Sequence, residues 1–75
     1  MSNLQVNLIK IRIKDFLGRV EPSTINFLKK YEEFDDSELY YYFHTAYQIN
    51  FGELPYNNVI NIIRETLKEY FKVSR

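Results

Sequence analysis

Chemistry gathers first around Ser37. It stands inside Glu32-Glu33-Phe34-Asp35-Asp36-Ser37-Glu38, where five of seven residues are carboxylates. A serine hydroxyl at the start of a helix is chemically usable, because unpaired N–H groups and the helix dipole favour a phosphate there. The plain alternative is a first-turn capping residue. The carboxylates create a local field that attracts cationic partners and repels nucleic acid. A solvated acidic turn is the plain alternative for them. Elsewhere the chain offers little reactive chemistry. It has no Cys, hence no thiolate nucleophile, disulfide or zinc knuckle. His44 is its one histidine. One imidazole cannot build a His dyad or a His-rich metal site, so no metal is expected.

The elements that hold these residues must come from a single domain spanning residues 1–75. A chain this short buries roughly 60–65% of its unfolded surface. That allows one thin core and no deep cleft, so the sequence argues against a free-standing enzyme. No run approaches the roughly 20 apolar residues of a membrane span, and no secretory signal pattern opens the chain. With no Cys, a reducing, cytoplasmic setting is expected. Seven Tyr and six Phe bring the aromatic content to 17%, while Ala46 is the one alanine. A core of rings with few small residues keeps helices well apart.

Ten acids balance ten bases, but they are segregated. Residues 1–20 carry four cations against Asp15, a net +3. Residues 21–56 are net −5, and residues 57–75 are net +2. An acidic island lies between two basic ends.

Gly18, Pro22, Gly52 and Pro55 cut the chain into three blocks. In the first, Leu4, Leu8 and Ile11 form one helical stripe, and Val6, Ile9, Ile13, Phe16 and Val20 form another. A strand competes, because Ile9, Ile11 and Ile13 alternate with Lys10, Arg12 and Lys14. Residues 19–34 read as a long loop, in which Pro22-Ser23-Thr24 can open a short helix to Leu28. Phe27, Leu28, Tyr31 and Phe34 would pin that loop to the core. The second block opens on Asp35-x-x-Glu38, a capping box with Phe34 and Leu39 as hydrophobic staple. Leu39, Phe43, Ala46 and Asn50 centre its inner face; Ser37, Tyr41, His44, Thr45 and Gln48 lie opposite. Tyr40, Tyr41 and Tyr42 span about 200° of arc at about 100° per residue, so Tyr41 must face solvent or a partner. His44 falls on the polar face. The third block is strongly amphipathic, with Tyr56, Val59, Ile60, Ile63, Leu67, Tyr70 and Phe71 on one side. It reads as one helix, or as a turn to Ile60 and a new helix capped by Asn61.

In this order the parts resemble an acyl carrier protein, the phosphopantetheine-bearing carrier of fatty-acid, polyketide and nonribosomal peptide synthesis. Leu4, Leu8, Ile11, Leu17 and Gly18 look like its first helix and Leu-Gly ending. Asp36-Ser37 sits where the family has its Asp-Ser attachment site. Phe51-Gly52-Glu53-Leu54-Pro55 looks like the turn after its second helix, and Ile60-Asn61-Ile62-Ile63 like the start of its last. Glu38 stands where the family has Leu or Ile after the serine.

The resemblance implies an all-α bundle of three or four helices with a long loop between helices 1 and 2. It implies 4'-phosphopantetheine attached to Ser37 beside Asp36 by a phosphopantetheinyl transferase. Acyl, aminoacyl or polyketide intermediates would ride on that arm as thioesters. The cofactor then supplies the reactive group and the protein supplies position. Asp35, Glu38, Leu39, Tyr40, Tyr41, His44 and Tyr47 would meet acyl-transferring or acyl-modifying enzymes. The carrier would be a monomer that binds neither membrane nor nucleic acid. Two other readings stay open. One is a small helical inhibitor or adaptor without a prosthetic group. The other is a ribbon-helix-helix regulator, with Ile9–Lys14 as a DNA-contacting strand.

Overall fold

The computed structural model describes residues 3–72. They form α1 (Asn3–Leu17), α2 (Pro22–Leu28), a 3₁₀ turn (Tyr31–Glu33), α3 (Asp36–Tyr40) and α4 (Tyr56–Lys72). A π-helical segment, Tyr41–Ala46, continues α3 directly. No strand occurs among the described residues. The fold is therefore all-helical, and the strand that a ribbon-helix-helix regulator needs is replaced by α1. A strand at Ile9–Lys14 would have been an edge with unpaired backbone groups; the helix satisfies them within itself.

α1 settles which of its two stripes faces inward. Ile9, Ile13 and Leu17 are buried, with Val6 and Phe16 packed against the same core. Leu4, Leu8 and Ile11 point outward and are 81%, 46% and 61% exposed. The buried stripe packs on α4. Lys10 Nζ lies 3.2 Å from Glu65 and 3.3 Å from Glu69, and Lys14 Nζ lies 3.2 Å from Glu69. Burial works against the Lys10 ammonium, but its bonds to Glu65 and Glu69 outweigh that and hold its pKa above the ordinary value.

Within the expected long loop the short helix from Pro22 to Leu28 forms as read, and a 3₁₀ turn at Tyr31–Glu33 follows it. Pro22 occupies the first turn of α2, where its missing N–H costs nothing. Leu28 is fully buried. Phe27, Phe34 and Tyr42 form a ring cluster with centroids 5.0–5.7 Å apart, which pins the segment as expected. The inward-facing apolar residues of a loop this long are better served by a helix, which pairs its own backbone while they are buried.

α4 is one continuous helix, so Asn61 is an exposed interior residue and caps nothing. The helix buries Val59, Ile60, Ile62, Ile63, Thr66 and Leu67. Ile62 and Thr66 fall outside the face read from the sequence. Thr66 is admitted because its hydroxyl donates to the Ile62 carbonyl at 2.6 Å, so no buried polar atom is left unpaired there. Tyr56 is instead 44% exposed.

α3 and the π segment place Leu39 and Phe43, both fully buried, at the centre of the core. Burying a side chain of this size contributes about 1.5–3 kcal/mol. Ala46 and Asn50, expected beside them, are exposed. The reason is the widened helix and its end. The Tyr47 amide donates to the Tyr42 carbonyl at 2.7 Å and the Ile49 amide to the Phe43 carbonyl at 2.9 Å. Gln48, at φ 58°, takes the left-handed conformation that closes the helix. Gly52, at φ 66°, turns the chain again, and its amide donates to Asn50 Oδ1 at 2.9 Å. Arg12 Nη1 donates to the Asn50 carbonyl at 2.6 Å and ties this turn to α1.

Candidate functional site

The site forms where the 3₁₀ turn meets α3. Phe34 is extended (φ −91°, ψ 142°), which brings Asp35 to the N-cap of α3. Asp35 Oδ1 accepts from the Glu38 amide at 2.9 Å, and Glu38 Oε1 accepts from the Asp35 amide at 2.9 Å. The expected capping box is present in both directions. Asp35 also accepts from Ser37 Oγ at 2.9 Å. The Glu38 amide first, and the Ser37 hydroxyl second, hold the Asp35 carboxyl below its ordinary pKa.

Ser37 is therefore not the cap. Asp35 fills that role, and Ser37 is an exposed first-turn residue whose hydroxyl proton points at a carboxylate. Asp36 turns the other way. Arg64 of α4 donates to its Oδ1 from Nη2 at 2.8 Å and from Nε at 3.2 Å. The same Nη2 donates to the Phe34 carbonyl at 2.9 Å. Arg64 is not among the site residues read from the sequence. Its partners lie 28 and 30 residues away, and no local spacing signals such a contact. A shallow groove beside the pair is lined by Tyr31, Glu32, Asn61, Arg64, Glu65 and Lys68.

The remaining predicted residues divide sharply. Tyr41 is 56% exposed, as three consecutive tyrosines require. His44 is exposed; its ring stacks on Tyr40 with centroids 4.9 Å apart and planes 12° apart. Tyr40 is half-buried and also meets Tyr56 at 4.9 Å. Leu39 is fully buried, so it anchors the helix and is not a surface contact. Tyr47 also turns inward. Its ring lies 4.6 Å from Phe16 and 5.3 Å from Phe43, and burial pushes its phenol pKa up. The accessible set is Asp35, Asp36, Ser37, Glu38, Tyr41 and His44. Glu32 and Glu33, exposed on the preceding turn, extend its negative charge.

The Ser37 hydroxyl is open in space, so it fits as an attachment point for a phosphodiester-linked arm. In the same turn the Asp35 carboxylate accepts the Ser37 hydroxyl, while the His44 ring stacks on Tyr40 with Nδ1 3.3 Å from Thr45 Oγ1. No group of three or more His, Cys, Asp or Glu among the described residues could hold a metal ion. Among the described residues no helix is long and apolar enough to cross a membrane. No family model, curated protein or solved structure matches the chain.

Proposed function

We propose that the protein is a small helical protein-interaction module, an inhibitor or adaptor acting in the cytoplasm. It offers the acidic, tyrosine-bearing face around α3 to a cationic partner. One observation carries this reading: Tyr41 stands 56% exposed on the outer side of a helix whose inner residues, Leu39 and Phe43, are wholly buried. The helix is thus fixed from within while an aromatic ring faces outward one turn after Glu38. Aromatic side chains give large contact area at low entropic cost, and the surrounding charge steers encounter. The test is a photo-crosslinking residue at position 41, compared with one at Lys72 of α4. A discrete partner captured from position 41, and lost with the double change Glu32→Lys and Glu33→Lys, supports the reading. Equal capture from both positions overturns it.

A second reading, the acyl carrier, is favoured by the exposed Ser37 hydroxyl at the start of α3. On that reading Ser37 would hold 4'-phosphopantetheine, whose terminal thiol supplies thioester chemistry. A phosphopantetheinyl transferase and acyl-transferring enzymes would be the partners. It ranks second because α4 runs unbroken through Asn61, where the resemblance implies a helix start. Intact-mass measurement after incubation with a broad-specificity transferase and coenzyme A separates the two. A gain of the phosphopantetheine mass that disappears in Ser37→Ala establishes the carrier. An unchanged mass in folded protein removes it.

A further inference from the structure

Outside the acidic turn, we propose that the cleft between α1 and the end of the π-helical segment binds a monocarboxylate with an apolar body, held by Arg12. The cleft has a volume of about 410 Å³, and its lining includes Arg12, Asp15, Phe16, Arg19, Tyr47 and Gln48. Small-ligand sites begin at roughly 300 Å³. Arg12 is half-buried, yet no described carboxylate pairs with it. A cation taken partly out of water ordinarily has an anion beside it. Arg12 Nη1 donates to the Asn50 carbonyl at 2.6 Å, which fixes the side chain in place. A guanidinium carries five N–H donors, so most of the fork stays uncommitted.

The charges of the lining select the ligand. Asp15 and Arg19 are matched to each other at 3.2 Å. One positive charge is left over, that of Arg12, and a monoanion balances it. Asp15 disfavours a dianion such as a phosphate monoester by like-charge repulsion. A carboxylate presents two oxygens in one plane, the shape that a guanidinium fork reads. The apolar body follows from the rings. Phe16 and Tyr47 line the cleft with centroids 4.6 Å apart, and half-buried Ile49 lines it too. The Tyr47 hydroxyl, which burial keeps protonated, has no partner among the described residues and is a further donor. A free acid and the C-terminus of a peptide present the same group, so both are sources of this ligand.

The test titrates the full chain with 3-phenylpropanoate and follows backbone amide shifts by NMR. Saturable shifts at Arg12, Tyr47 and Gln48 are expected, with a Kd of about 1 mM for a ligand of this size. The uncharged 3-phenylpropanamide should bind at least about tenfold more weakly. So should phenyl phosphate at about pH 8, where it is a dianion. Arg12→Gln removes binding of the acid in folded protein. Asp15→Asn, an exposed change, brings phenyl phosphate closer to the acid and keeps the test open if Arg12→Gln fails to fold. An acetylated peptide ending in Phe separates the sources. Binding at least about tenfold tighter than 3-phenylpropanoate, lost on amidating its C-terminus, assigns a peptide; otherwise the free acid is the ligand. Equal affinity for acid and amide, or for acid and phenyl phosphate in the unsubstituted chain, overturns the proposal. So do acid binding unaffected by Arg12→Gln, shifts confined to other residues, or no saturation up to about 20 mM.

Discussion

Arg64 of α4 holds the Asp36 carboxylate at 2.8 Å and, through the same nitrogen, the Phe34 carbonyl at 2.9 Å. One guanidinium thus fastens both sides of the turn into α3 to the adjoining helix α4. It also places a cation inside the acidic island.

Arg64→Ala should destabilise the fold by about 0.5–1 kcal/mol, because the pair is partly exposed and water replaces much of it. Urea unfolding measures this. Arg64→Lys should recover only part of the loss, since an ammonium lacks the second donor, Nε, that Arg64 also places on Asp36. Full recovery by Lys would mean that charge alone matters.

Acid should weaken the protein through two depressed carboxyls. The Glu38 amide and the Ser37 hydroxyl lower Asp35 from its ordinary 3.8. Lys14, then Lys10, lower Glu69 from its ordinary 4.5. A carboxyl whose folded pKa lies below its unfolded one stabilises fully above the unfolded value and loses that contribution as pH falls through the folded value. Tm should therefore stay level down to about pH 5 and then fall. Glu69→Gln should lower Tm at neutral pH and flatten the acid slope. An unchanged slope in that variant would count against the Lys10–Glu69–Lys14 cluster.

Gln48 pays for its left-handed backbone with conformational strain. Gln48→Gly should stabilise the fold by about 0.5–1 kcal/mol, the relief at φ 58° exceeding the extra unfolded-state freedom of glycine. Differential scanning calorimetry should show Tm rising by a few degrees. A lower Tm would mean that the Gln48 side chain contributes more than its backbone costs.

Short-range features were legible in the sequence. The Asp35–Glu38 box spans four residues and needs no tertiary information, so type and spacing suffice. The exposure of Tyr41 follows from three tyrosines sharing an arc too wide to bury. Long-range and phase-dependent features were not legible. Either apolar stripe of α1 could have met the core, and only packing against α4 chose Ile9 and Ile13. Leu39 and Tyr47 carry the types of contact residues, yet the core claims them. The π segment has no marker in residue type; reading Leu39, Phe43, Ala46 and Asn50 at ordinary helical pitch put Ala46 and Asn50 on the wrong side. The Arg64 contact depends on where α4 lies, which no local pattern contains.

The π-helical turn at Tyr41–Ala46 widens the last stretch of the helix just before it closes at Gln48. It gives the fold a natural phase adjuster. Upstream, Leu39 keeps its register with the core; downstream, the aromatic ring of Tyr47 comes round to Phe16 on another helix. A chain shortened by one residue within this turn would keep a helix of ordinary pitch. It would swing Tyr47 off Phe16 and strip α1 of that aromatic contact, so a single deletion would register as a loosening between two helices.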